Sequence, residues 1–415
     1  MSERLSRVLP PPGPPAVLAW GQLTNSVGDG AYYVCSVLYF TRIVGLSPTQ
    51  IGLGLTIGWA VGFVAGVPLG HLADRFGVRG TAVLLAIGTG AAVGSFLFIR
   101  SFPLFIVAAC VYASCQSGLA AARQALLAAL VTREERTKTR AYLQATTNAG
   151  LAVGAAFGGL ALQFDTSEAY LAIFALDAVS FFASALMLLR LPSVAPVPAV
   201  AGEPRLAVLR DRPYAWFAFL NMIMLLRMPI ISLAIPLWIV ERTAAPTWLV
   251  SALLVLNTLA VMLFQVRVAR QVTDLTSASK IVRNSGVVML LSCAVFALSD
   301  LSSSAWVAAV ILIVAASIQV VSEMMQSAGA WEISFDLAPA DKQGQYQGFF
   351  GTGTAVARML GPLLLTTLIV GWGAPGWLLL GGLFLLSGLA TGPAVRWAER
   401  GRVSPTGGGV AGRLG

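Results

Sequence analysis

Charge is what this 415-residue chain has least of: 11% of its residues are charged, against 57% hydrophobic. A soluble domain carries roughly 25% charged residues, so there is too little charge here to cover a water-facing surface. The same apolar content excludes a disordered chain. The single histidine, His71, excludes a multi-histidine metal site. No Gly-Lys dipeptide occurs, so there is no phosphate-cradling loop of the kind that drives ATP-dependent pumps. The four cysteines (Cys35, Cys110, Cys115, Cys293) sit in apolar runs without CxxC spacing and read as small packing residues.

What the chain does have is long apolar runs. A helix crossing about 30 Å of hydrocarbon takes roughly 20 such residues. Spans are expected at about 16–40, 48–73, 81–99, 102–126, 140–163, 168–190, 214–240, 246–266, 281–299, 304–328, 345–370 and 374–396. The fold class is therefore an all-α membrane protein of twelve transmembrane helices. Residues 1–15 form a polar, Pro-rich lead-in, and 398–415 a glycine-rich tail expected to be disordered. The first apolar run has no small-residue cleavage site and is not read as a signal peptide. The longest internal loop, 191–212, separates bundles at 16–190 and 213–397, six spans each. Such a layout belongs to membrane proteins built from two pseudo-symmetric repeats with a binding site near the midplane.

Topology follows from Lys and Arg. With the N-terminus inside, the inner segments hold 21 of the 27 basic residues and the outer ones three (Arg42, Arg100, Arg242). The remaining three (Arg123, Arg227, Arg358) fall in or at the edge of spans. Both termini are expected to be cytoplasmic. The bias also explains the pI near 9.8 without a nucleic-acid partner. Arg outnumbers Lys 24 to 3, which suggests a GC-rich bacterial genome and an inner-membrane protein.

After the second span comes Gly70-His71-Leu72-Ala73-Asp74-Arg75-Phe76-Gly77-Val78-Arg79. It resembles the G-x-L-x-D-R-x-G-R-x signature that the major facilitator superfamily carries between its second and third helices, departing from it at Val78. The resemblance implies that fold over residues 16–397 and a conformational latch formed by Gly70, Asp74, Arg75, Gly77 and Arg79. Asp74 would meet the start of span 11, near Gly344 to Gly348, where a helix N-terminus favours a carboxylate. The run Gly150-x-x-x-Gly154-x-x-x-Gly158-Gly159 is similar to the helix-5 motif of the drug/proton antiporter branch, but with Ala155 in place of proline. Close helix packing accounts for such a run equally well. The helix-4 arginine of that branch is absent; Ser114 stands there, and Arg123 lies further along.

An ionisable residue in the hydrocarbon is by default a functional hypothesis. Asp29 and Arg227 each lie 19 residues before a turn proline, Pro48 and Pro246, which suggests matched depths on symmetry-related helices. They are expected to approach each other across the half-to-half interface, as a coupling pair or as a purely structural one. Gln22, Asn25 and Asp29 share one helical face; Gln319, Glu323 and Gln326 share another. Both stripes are expected to line a wet cavity, with Asp29 and Glu323 as proton carriers. Arg358 either pairs with Glu323, contacts an anionic substrate group or serves packing. Asp177 reads as a structurally satisfied acid, Glu332 and Asp336 as gate or salt-bridge residues. Trp20, Trp59, Trp331, Trp372 and Trp377 read mostly as interfacial anchors.

The expectation is a monomeric secondary transporter, not an enzyme, exporting small amphipathic molecules by alternating access. It needs no cofactor or metal: the proton gradient is the energy source, and a small molecule and the lipid bilayer are the partners. A proton-coupled uptake symporter or a uniporter uses the same fold, and a non-transporting receptor is the alternative of another class.

Overall fold

The computed structural model describes residues 11–196 and 206–403. The lead-in 1–10, part of the central loop (197–205) and the tail from 404 lie outside the described residues. Among those described, the chain is helical and contains no strand.

Six helices form the N-terminal half: α1 (Pro14–Leu38), α2 (Pro48–Phe76), α3 (Val78–Ser95), α4 (Phe102–Leu130), α5 (Arg133–Phe164) and α6 (Ser167–Leu189). Six more form the C-terminal half: α7 (Arg212–Arg242, with a π-helical turn at Ile230–Ala234), α8 (Leu249–Ala269), α9 (Leu275–Leu298), α10 (Ala305–Asp336), α11 (Gln343–Leu365) and α12 (Ala374–Val403). Eleven of the twelve contain an 18-residue stretch apolar enough to cross a membrane. The exception is α1, whose Gln22, Asn25, Ser26 and Asp29 dilute its hydropathy; Asn25 and Ser26 are buried in the bundle.

Local chemistry sets the ends. Ser47 and Gln50 form a reciprocal capping box at α2, with Pro48 in the first turn. Asp274 and Ser277 do the same at α9. Gly77, at φ 102°, makes the single-residue turn from α2 to α3. Four ends differ from the expectation by well over a turn, the first being α9, which begins at Leu275 rather than 281. Helix α5 begins at Arg133 rather than 140, and α10 runs to Asp336 rather than 328. Helix α12 continues to Val403, so 398–403 is helix rather than the start of a disordered tail. In each case a polar, helix-competent segment extends an apolar span beyond the hydrocarbon, which a hydropathy boundary does not register.

An even number of spans puts both chain ends on one face, here called the terminus face; the opposite one is the far face. Each half has its own core: Phe40, Phe96, Phe105 and Phe174 in one, Trp238, Phe296 and Trp377 in the other. A third core bridges them at the terminus face, joining Val67 and Tyr142 to Tyr214, Phe217, Ile333 and Tyr346.

Candidate functional site

The two halves are tied together at the terminus face. Asp74, at the end of α2, accepts hydrogen bonds from the backbone N–H groups of Gly344 (2.6 Å) and Gln345 (2.9 Å). These are orphan donors of the first turn of α11, where a carboxylate also meets the helix dipole. A methyl on Gly70 would lie 2.6 Å from the carbonyl carbon of Gly344, so only glycine admits this approach. Of the other residues of the signature, Arg79 donates to the Leu191 carbonyl at 2.8 Å, while Arg75 is exposed. A second tie joins α5 to α10: Thr137 donates to Glu332, and Arg133 pairs with Asp336. At the far face, the polar contacts among the described residues stay within one half, as between Arg42 and Asp165 or Arg242 and the Val370 carbonyl.

Above these ties lies a cavity of about 320 Å³, lined by α1, α2, α4 and α5 of one half and by α11 of the other. Its charged lining residues, among those described, are Asp29, Arg123, Arg140 and Arg358. Gln22, Gln116, Gln124, Gln144 and Gln347 add amides. Asp29 sits on α1 with its Oδ1 buried and without a hydrogen-bond partner, and its electrostatic partners are Arg358 and Arg123. Arg123 donates to Gln22 (3.3 Å), Asn25 (3.1 Å) and Ser184 (2.8 Å), locking the polar stripe of α1 to α4 and α6. Arg358 is exposed and lines the cavity. It stacks on Trp59, with Cζ 4.5 Å from the ring centroid, and has Tyr33 beside it.

The expected Asp29–Arg227 contact does not form. Arg227 pairs instead with Glu323 at 2.9 Å and donates to Gln326 (3.1 Å) and Ser327 (2.8 Å). Glu323 also accepts from Asn257 at 3.0 Å, and Gln326 donates to Asn221 at 2.7 Å. Equal spacing from a turn fixes depth along a helix but not the direction a side chain takes around it. Arg227 turns into its own half; Asp29 faces the other. Glu323 and Gln326 therefore belong to a network inside the C-terminal half and do not border the cavity described above. Gln319 is buried, its amide atoms without partners. Nor does Arg358 pair with Glu323.

Asp177 is buried under α1, where a methyl on Gly28 would lie 2.5 Å from its Oδ1; neither carboxylate oxygen meets a donor in hydrogen-bonding geometry, so the acid is not satisfied as expected. Trp59 and Trp331 lie between the halves rather than at the lipid interface, and Trp377 is fully buried; Trp20 and Trp372 are exposed. The site residue that the sequence hid best is Arg140. Counted with a loop because the span was set to begin there, it stands two turns inside α5.

A model of the Major Facilitator Superfamily matches residues 18–362. The chain belongs to that superfamily. It is 24% identical, over 84% of its length and 86% of the relative's, to the uncharacterized MFS-type transporter YttB of Bacillus subtilis. Among solved structures it resembles a bacterial homologue of the iron transporter ferroportin in its outward-facing state, with TM-score 0.73, 14% identity and coverage of 93% of this chain and 99% of that one. It also resembles the fucose:proton symporter FucP of E. coli, with TM-score 0.68, 13% identity and coverage of 93% and 98%. At these identities the structural likeness concerns the fold alone. This superfamily member is a multi-pass membrane transporter, not an enzyme. The Asp74 cap and the glycine contact beneath the cavity are the geometry that its signature segment forms here.

Proposed function

We propose that this transporter is a proton-coupled carrier of a small solute, working by alternating access through the cavity between the halves, with Asp29 as the proton site. One observation carries the reading: Asp29 is the carboxylate on the cavity wall, one of its oxygens has no partner, and arginines of both halves flank it. A group so placed feels both the solute and the relative position of the halves, as coupling requires. Glu323, already paired with Arg227 and Asn257, is not assigned that role.

The arginine-rich composition, the 21-to-3 basic bias and the Bacillus relative support a bacterial cytoplasmic membrane with both termini inside. In that orientation the tied face is cytoplasmic and the cavity belongs to an outward-facing state. Direction follows from how proton and solute meet at Asp29: competition gives exchange and export, cooperation gives cotransport and uptake. The glycine run of α5 packs on α1, where a methyl on Gly154 would lie 2.9 Å from the Ala31 nitrogen, so it serves helix packing and is neutral between export and uptake.

The test is reconstitution in liposomes with an imposed pH gradient, following internal pH while amphipathic drugs and small metabolites are added. Solute-dependent proton flux is expected in the wild type and absent in Asp29→Asn. Equal flux in both would remove Asp29 from the mechanism.

A further inference from the structure

A second cavity, also of about 320 Å³, lies at the terminus face. The N-terminal half supplies Asp74 from the end of α2, Val78 from the start of α3, three alanines of α4 (Ala125, Ala128, Ala129) and Arg136 of α5. The C-terminal half supplies Ala340 and Asp341, in the turn Ala340–Lys342 that leads into α11, and Gln343 at the first position of that helix. Arg79, donating to the Leu191 carbonyl, holds the start of the central loop, whose Val194, Ala195 and Pro196 complete the wall. Asp74 belongs to one tie between the halves, and Arg136 stands next to Thr137 of the other. The transport mechanism proposed above does not use this space.

Acceptors dominate its polar lining. Asp74 and Asp341, one from each half, are electrostatic neighbours. Asp74 meets the two N–H groups of α11 and no basic side chain within 4.0 Å among the described residues. Asp341 is 43% exposed and stands 3.7 Å from Lys342, beyond hydrogen-bonding distance. Gln343 is 6% exposed; its amide nitrogen donates to the Phe335 and Ala338 carbonyls, and its Oε1 is buried without a partner. Arg136 is the lining cation, and its Nε and one Nη are spent on the Val131 and Ala128 carbonyls at the end of α4. A buried acceptor without a donor is costly, and like charges brought together from opposite halves repel. A cation bearing N–H donors relieves both.

We propose that this cavity is a regulatory site for a small organic amine, whose ammonium group is held by Asp341, Asp74 and the Gln343 Oε1 and whose apolar body lies against Val78, the α4 alanines and Pro196. The volume is at the small end of ligand pockets and fits a single-ring or short-chain amine. Because the walls come from both halves, the site exists only while the terminus face is closed. The amine therefore binds that state alone and shifts the equilibrium toward it. A transporter that must open this face to complete its cycle is then inhibited from the terminus side, without competition at the transport cavity. There three guanidinium groups face one carboxylate, a balance that disfavours a cation. The inhibition rests on the alternating-access reading; the binding of the amine does not.

The experiment titrates the full-length protein in nanodiscs with benzylamine, benzyl alcohol and benzoate, matched in size and differing in charge, reading thermal stability. A second readout is the distance between spin labels on cysteines placed at Thr166 and Ser303, in far-face loops of opposite halves. Benzylamine is expected to bind at millimolar concentration and to enrich the longer distance; the other two should do neither. Asp341→Asn should weaken benzylamine at least tenfold. Ala129→Trp, made at an exposed position of the cavity wall, should fill the space and abolish binding while the protein stays folded. Asp29→Asn should bind benzylamine as the wild type does. Absence of benzylamine binding, equal binding of the neutral or anionic probe, or indifference to both wall substitutions would overturn the proposal. Loss of benzylamine in Asp29→Asn would put the amine in the transport cavity and overturn it as well. Binding that leaves the distance distribution unchanged overturns the regulatory role and keeps the amine site. Proton flux that Asp29→Asn leaves intact removes Asp29 from the mechanism and does not touch this site.

Discussion

Arg227 is a cation whose partners lie within its own half. Its guanidinium is 7% exposed and meets Glu323, Gln326 and Ser327, so it is paired and hydrogen-bonded, the arrangement that makes a buried charge tolerable. Removing one partner strands the other. Arg227→Met is expected to cost about 3 kcal/mol of stability, and adding Glu323→Met should restore most of it, because an apolar pair replaces an ion pair at little net cost. Thermal denaturation of the two variants in detergent measures this; equal melting temperatures for the single and double variants would show that the pair is not coupled. The sequence marks Arg227 and Glu323 by type and location, and it marks Asp29 and Arg358 equally well. It does not mark which acid meets which base, since that depends on rotation about the helix axis and on which half a side chain enters. The result is the same polar cluster in both halves with its charges exchanged. An acid on α1 and an arginine on α4 correspond in position to an arginine on α7 and an acid on α10.

Helix α2 carries glycine at every fourth position from Gly54 to Gly70. Four residues advance an α-helix by about 400°, so such a stripe drifts by about 40° at each step. The drift is visible in the packing: Gly54, Gly58 and Gly62 face Phe105, Ala109 and Ala113 of α4, whereas Gly66 and Gly70 face Gly348 and Gly344 of α11. One stripe therefore serves two interfaces, the first fixed within a half and the second between halves. The second interface is not uniform. A methyl at Gly66 would stand 3.4 Å from the Gly348 carbonyl oxygen, an ordinary contact, but at Gly70 it would be 2.6 Å from the Gly344 carbonyl carbon. Gly70→Ala is thus expected to open the tied face and Gly66→Ala to leave it closed. In a background with the native cysteines replaced, a cysteine at Ser117 on the cavity wall should react with a membrane-impermeant maleimide from the terminus side in the first variant only. The same reactivity in both would mean that the glycine contact does not hold the face shut. Here the sequence was informative about the helices and the signature loop, and uninformative about Arg140, because hydropathy registers where hydrocarbon ends rather than where a helix begins.

For the molecule as a whole, closure of one face rests on two ties on different sides of the cavity floor, Asp74 with α11 and the Thr137–Glu332 and Arg133–Asp336 contacts of α5 with α10. Rocking one half against the other must break both, so each biases the equilibrium between the states open at either face without setting it alone. Asp74 gives two charge-assisted hydrogen bonds, and water replaces part of what they supply once the face opens. Asp74→Ala should then favour the opposite state by about 2 kcal/mol, roughly a thirtyfold change in the equilibrium constant. Glu332→Gln keeps an acceptor for Thr137 and should act more weakly. Because the two sites share no partner, their effects should add. Spin labels at Thr166 and Ser303, on far-face loops of opposite halves, report the change as a gain in the shorter of two distances, since opening one face closes the other. If Asp74→Ala leaves that distance distribution as in the wild type, the carboxylate is a local helix cap with no part in switching, and closure rests on the α5–α10 tie and the aromatic core around Tyr214 and Tyr346.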